Sequence, residues 1–172
     1  MTLEMFTSQV LPLKNKLHRF ATRFLGDEVE AQDVVQEVLI KVWHRREELD
    51  NVENLEAWCM TVTRNLSLDK VKSSKRKNTV QMPEGLDVSE DNRRTPYHST
   101  AAGDMMNKIN RLMNTLPEKQ RQIMQLRDIE GFSYKEISDI LTLDLNQVKV
   151  NLFRARKYIR EKLFELNAYG LQ

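Results

Sequence analysis

The chain is expected to be all-α, two small helical domains joined by a flexible linker, and three observations carry that expectation. Apolar residues recur at three- and four-residue intervals in two blocks, separated by a polar, aperiodic stretch from Ser73 to Thr100. Only 5 glycines and 4 prolines punctuate 172 residues, while 40% apolar and 30% charged residues suit helices with one packed and one solvated face. Helix starts are also announced repeatedly by an oxygen-bearing side chain followed three residues later by Glu or Gln, a pattern that satisfies orphan backbone donors reciprocally. The domains are therefore read as 1–72 and 101–172, with the linker over 73–100.

The first pattern is Phe6, Val10, Leu13, Leu17, Phe20 and Phe24. Pro12 forbids a regular helix through it and is expected in the first turn of a helix ending near Leu25, with Gly26 as a left-handed stop. Asp27 with Glu30 opens the next helix, whose stripe Ala31, Val34, Val35, Val38, Leu39, Val42 and Trp43 leaves Glu30, Asp33, Gln36, Glu37 and Lys41 on an acidic outer face. After a polar stretch, Arg45 to Asn54, a third pattern runs through Leu55, Trp58, Cys59, Val62 and Leu66. Arg64, Asn65, Lys70, Lys72, Lys75, Arg76 and Lys77 fall on or beyond its solvent side. Trp43 and Trp58 both sit in apolar stripes and are expected to pack rather than to stack on bases.

Periodicity returns at Met105, Met106, Ile109, Leu112, Met113 and Leu116. Thr115 with Glu118, and Pro117 in the first turn, are expected to start a helix containing Ile123, Met124, Leu126 and Ile129, which Gly131 stops. Two more capping pairs follow, Ser133 with Glu136 and Asp144 with Gln147, leaving only Thr142 and Leu143 to turn the chain between two helices. That spacing predicts a helix-turn-helix. The second of these helices packs Leu145, Val148, Leu152, Ala155 and Ile159, and turns Asn146, Gln147, Lys149, Asn151, Arg154 and Lys157 outward. Amides can pair with adenine edges, and cations with guanine or phosphate.

Charge supports a nucleic-acid partner more than the net value of +2 suggests. Residues 61–82 carry six basic and one acidic side chain and residues 108–172 carry twelve and eight, whereas residues 1–60 carry seven and eleven. Local basic segments are the footprint of nucleic-acid binding, and an acidic face on the same chain suits protein docking or solvation. The single Cys59 has no second thiol, and His18, His44 and His98 lack zinc spacing, so no metal site and no cofactor are expected. There is no signal segment and no run long enough to span a membrane, which points to the cytoplasm. Paired carboxylates in a predicted cleft, a glycine-rich phosphate loop and a nucleophile–base constellation are all missing, so an enzyme and a small-molecule substrate are not expected.

Together the blocks resemble a known family. Gly26 to Trp43, Asn54-Leu-Glu-Ala-Trp58 and Thr63-Arg-Asn65 are similar to the second region of extracytoplasmic-function RNA polymerase sigma factors. Leu116 to Arg121, Leu126-Arg, Glu130 to Ile137 and Val148 to Arg156 are similar to the fourth. The resemblance implies a factor that binds core RNA polymerase, directs promoter-specific initiation and assists melting. It assigns Asp33, Gln36 and Glu37 to the polymerase β′ coiled coil, and the second domain to the β flap. It implies minus-10 contacts by the loop Leu49, Asp50, Asn51 to Asn54 and by Thr61, Arg64, Asn65 and Lys72, and minus-35 contacts by Asn146, Gln147, Lys149, Val150, Asn151, Phe153 and Arg154. An anti-sigma factor is a further partner it leaves open. Thr142, Val150 and Asn151 depart from the family's common glycine, small polar residue and arginine, and Val150 can meet a thymine methyl but cannot hydrogen-bond a base edge.

Two other readings stand beside this one. A conventional helix-turn-helix regulator acting without polymerase leaves the first 72 residues unexplained, and a protein-binding helical adaptor draws its support from Val150 and Asn151. The 28-residue linker would relax to about 30 Å and extend to about 95 Å, so two independently moving domains are expected in the free chain.

Overall fold

A computed structural model of the chain describes residues 1–81 and 101–169. Among them every regular element is helical: α1 Leu3–Met5, α2 Lys14–Leu25, α3 Glu28–His44, α4 Leu55–Gln81, α5 Ala101–Asn114, α6 Glu118–Met124, α7 Tyr134–Leu141 and α8 Leu145–Tyr169. The all-α class is as expected. The linker is shorter at its start than the composition suggested, because α4 carries 73–81 as helix; residues 82–100 lie outside the described residues.

As expected, Pro12 breaks the regular α-helix through the first pattern, and it falls in the first turn of the short 3-10 segment that leads into α2. The chain widens to a π turn over Phe6–Val10, tightens to a 3-10 turn over Leu11–Leu13 and enters α2 with right-handed dihedrals throughout. A residue without an N–H is accommodated here by changing the helical pitch on either side of it. Gly26 does stop α2, at φ +72°, its N–H donating to the Thr22 carbonyl at 2.7 Å. Asp27 then caps α3 by accepting from the N–H groups of Val29 and Glu30 at 2.8 and 3.0 Å.

The N-terminal core joins Val10, Leu17, Phe20 and Ala21 to Ala31, Val34, Val35, Val38 and Val42 of α3 and to Cys59 and Met60 of α4. Burial pushes the Cys59 thiol up to about 12, so it stays protonated and acts as a small hydrophobe. On α4 the buried ridge is rotated from the expected stripe: Cys59, Met60, Thr63 and Ser67 face inward, while Leu55, Trp58, Val62 and Leu66 flank them half-buried. Thr63 can be buried because its hydroxyl donates to the Cys59 carbonyl at 2.8 Å. Trp43 is at the edge of the core, its ring 5.4 Å edge-on from Phe6 and stacked under Arg46.

In the C-terminal domain α6 continues as a π turn, Gln125–Ile129. The extra residue shifts the helical register, burying Gln125 and exposing Ile129, which the uninterrupted period had placed in the core. Thr115 does not open α6. Its hydroxyl turns back to the Leu112 carbonyl at 2.7 Å and lies 3.1 Å from the Tyr158 hydroxyl, leaving Pro117 in the capping position. Ser133 and Glu136 form the complete capping box that starts α7, with bonds of 2.6 and 3.2 Å. The Ser133 N–H holds the Glu136 carboxyl below its ordinary value. Asp144 caps α8 by accepting from the Gln147 N–H at 2.8 Å.

Between α7 and α8 the chain turns on Thr142 at φ +56°, left-handed for a β-branched residue. Thr142→Gly should stabilise the protein by about 1 kcal/mol, since relief of a left-handed conformation costing about 1–2 kcal/mol exceeds the added entropy of glycine. A rise in thermal midpoint checks this, and a lowered midpoint would show that Thr142 makes a compensating contact.

The two domains pack against each other in this structure through contacts that the reading of the linker did not anticipate. Lys16, Arg19 and Arg23 of α2 reach Glu130, Asn110 and Asn114, and Asn54 ahead of α4 reaches Glu136 of α7. Phe20 and Phe24 lie beside Arg121, Gln122 and Gln125 of the second domain.

Candidate nucleic-acid and partner interfaces

The fold supports three candidate surfaces, each built on a helix whose opposite face is buried. On α3 the buried residues Ala31, Val34, Val35 and Val38 turn Asp33, Gln36 and Glu37 to solvent. Glu37 contacts Lys41 at 3.3 Å and Asp33 contacts Lys70 of α4 at 3.9 Å, both exposed pairs of little energetic weight. The carboxylates remain available to a partner. Val29 and Ile40 stand exposed at 71% and 55%, and with Asp33 and Gln36 they form one line at i, i+4, i+7, i+11 on the helix surface. Their inclusion was missed because two isolated apolar residues on a polar face carry no periodic signal.

The second surface is the loop before α4 and the helix that follows. Leu49 is only 5% exposed and belongs to the core, so it is withdrawn from the base-reading set: it anchors the 3-10 turn Glu48–Asn51 from beneath. That anchoring leaves Asp50 and Asn51 exposed, with Asp50 paired to the Met1 ammonium. Asn54 caps α4 through its Oδ1, which accepts from the Ala57 N–H at 2.9 Å. On α4, Asn65 and Lys72 are exposed and Arg64 is half-buried, donating to the Asn65 side chain at 3.1 Å. The half-buried Thr61 donates its hydroxyl to the Ala57 carbonyl at 2.8 Å.

The third surface is the outer face of α8. Asn146, Gln147, Lys149, Val150, Phe153 and Arg154 are exposed, Phe153 at 67%, and Asn151 is half-buried with its amide donating to the Gln147 carbonyl at 2.8 Å. A shallow concavity runs along Asp144, Leu145, Asn146, Gln147, Val150, Asn151 and Arg154. Leu145, expected in the core, lines this concavity instead because it is the first residue of α8 and precedes the buried ridge of Val148, Leu152, Ala155 and Ile159. The cations divide into two groups. Arg156 is engaged by Asp128 at 3.0 Å, which raises its pKa, and Lys157 contacts Glu161 at 3.9 Å. Lys149 and Arg154 make no ion pair among the described residues, so they meet a polyanion without first losing a partner.

No described helix is long and apolar enough to cross a membrane. A family model for Sigma-70 region 2 matches residues 10–77, and one for Sigma-70, region 4 matches residues 106–159. The chain is 32% identical over 151 residues to the ECF RNA polymerase sigma factor SigL of Mycobacterium tuberculosis, covering 87% of this chain and 84% of SigL. It is 30% identical over 157 residues to the ECF RNA polymerase sigma factor SigE of Mycolicibacterium smegmatis, of whose length it spans 58%. Among solved structures, the sigma factor RpoE in complex with the anti-sigma factor NepR from Bartonella quintana superposes with a TM-score of 0.75 at 24% identity, over 94% of this chain and 98% of that one. At that identity the likeness is one of fold.

Proposed function

Because the chain belongs to the extracytoplasmic-function (ECF) sigma factors, we propose that it initiates transcription by docking on core RNA polymerase through α3 and reading promoter DNA through the α4 region and α8. The observation that carries this reading is the pairing of two exposed faces of opposite character. One is acidic, with Asp33, Gln36 and Glu37, and the other carries amides and uncommitted cations, with Gln147, Lys149 and Arg154. An acidic helix face complements a basic coiled coil such as that of β′, and Val29 and Ile40 extend the contact with apolar area. The second domain, 101–172, then meets the β flap and the minus-35 element, and the work takes place in the cytoplasm.

Promoter melting needs a base captured out of its stack, which costs a few kcal/mol and is recovered by a shaped polar pocket. Asp50, Asn51 and Asn54 supply the polar loop for that pocket, held by buried Leu49, while Arg64, Asn65 and Lys72 lie along the basic helix beyond it. An anti-sigma factor of the kind seen with RpoE is proposed as the partner that withholds the protein from polymerase.

Transcription in vitro with core polymerase and a library of promoter fragments tests the assignment: selective, chain-dependent transcripts are expected, and none from any fragment would reject it. On α8, Arg154→Ala should cost about 1–3 kcal/mol and relax preference at one base position, as loss of a base contact does. Lys149→Ala should weaken all sequences alike and flatten the salt dependence, as loss of a phosphate contact does. Binding of promoter variants at two salt concentrations separates the two, and equal losses on every sequence for Arg154→Ala would remove it from base reading.

A further inference from the structure

The interface between the domains is polar, specific and placed over a surface the protein needs. Glu130 lies between the π turn and Gly131 with its side chain fully buried, and its carboxylate accepts from Arg19 Nε at 3.2 Å and Nη2 at 2.8 Å. That hydrogen bonding raises the Arg19 pKa. A buried carboxylate is tolerated only with such a partner, and here the partner belongs to the other domain. Lys16 completes the grip: its ammonium donates to the Glu130 carbonyl at 3.1 Å, lies 5.5 Å from the Phe132 ring centroid and pairs with Glu56 of α4. One turn further along α2, Arg23 donates to Asn110 at 2.8 Å and Asn114 at 3.4 Å. Lys16, Arg19 and Arg23 thus form a single row at i, i+3, i+7, all engaged by the C-terminal domain.

The same packing reaches the loop before α4. Asn54 Nδ2 donates to Glu136 Oε1 at 2.5 Å, and Glu136 is itself fixed by the capping box of α7. An acceptor carboxylate therefore sits where a base acceptor or a phosphate oxygen would have to approach. We infer that the C-terminal domain is an intramolecular competitor of the promoter strand: the Arg19–Glu130 fork clasps the domains together, and the closed chain presents Glu136 to Asn54 in place of DNA. This rests on the reading of Asn54 as a strand-binding residue. Opening exposes Asn54 and at the same moment strips Glu130 of its cation, so strand binding and domain opening are linked and each favours the other.

The test uses the full chain labelled with a fluorophore pair at Gln32→Cys and Arg160→Cys, both exposed, since the buried Cys59 thiol, pushed up to about 12, stays unlabelled. High energy transfer is expected without DNA. Arg19→Ala, in a side chain 52% exposed and outside the core, should lower the transfer while helical circular dichroism is retained. It should also tighten binding of the single-stranded non-template strand from the strongest promoter selected in the transcription assay, by about tenfold. The exchange Arg19→Glu with Glu130→Arg should restore both properties. Unchanged transfer in Arg19→Ala overturns the clasp, and lowered transfer with unchanged strand affinity overturns the competition. If no variant binds the strand but transfer still falls, the clasp stands and the assignment of Asn54 to DNA is what fails.

Discussion

Asp33→Lys combined with Glu37→Lys is expected to abolish capture of core RNA polymerase, at least a hundredfold in affinity, in a chain that keeps its fold. Both side chains lie on the exposed face of α3 and neither contributes to the buried ridge of Val34, Val35 and Val38. Their own contacts, to Lys70 at 3.9 Å and Lys41 at 3.3 Å, are solvated pairs worth no more than about 1 kcal/mol each. Against a basic partner the reversal has a different scale, because each lysine replaces an attraction by a like-charge contact, and like charges across an interface cost about several kcal/mol. Co-purification of the double variant with core enzyme, with circular dichroism as the control for folding, decides the matter. Undiminished capture would move the docking surface off α3. Val29→Ala, which removes apolar area without changing the charge of the face, should weaken capture through the apolar end of the same line.

Much of this was readable from residue order, and the exceptions have physical reasons. Asp27, Ser133 and Asp144 cap the helices they were expected to cap, because a capping side chain acts on backbone groups two and three residues away. The exposed faces of α3 and α8 were legible for a similar reason: a helix with one buried stripe must turn the remaining positions outward. Gln125 and Ile129 exchange places because a π turn adds one residue to the period, and nothing in the spacing of apolar residues announces it. Leu49 was mistaken for a reading residue because a lone apolar anchor inside a polar loop has no neighbours at helical spacing to mark it as core. The interdomain clasp was invisible for a stronger reason. Arg19, Glu130, Asn54 and Glu136 are polar residues from distant parts of the chain, and helical spacing and capping patterns relate a residue only to its near neighbours in sequence, as Glu136 to Ser133.

Transcription should survive a few residues inserted between Gln81 and Ala101 but fall at least a hundredfold when the promoter elements are separated by an extra half turn of DNA. Two reading surfaces, the loop and α4 in one domain and α8 in the other, serve elements about two helical turns apart, or about 70 Å along the duplex. The covalent length of the 19 residues from 82 to 100 sets an upper limit on their separation, and lengthening a loop costs only about 0.6 kcal/mol per doubling. Five extra base pairs act differently, since they carry one element about 17 Å away and turn it to the opposite side of the duplex. The loss arises only if something rigid fixes where each surface points. In the closed chain Glu136 is bonded to Asn54, which does not hold the two surfaces as a promoter would need them, so under the function proposed above the rigid frame for both elements is the polymerase, holding α3 on one side and the second domain on the other. Runoff transcription from promoters with native, half-turn and full-turn spacings measures this, and inserted linker residues provide the comparison. Equal output from native and half-turn spacings would mean that the two surfaces are not held on one frame, whereas partial recovery at a full added turn would identify angular phase as the constraint that the polymerase imposes.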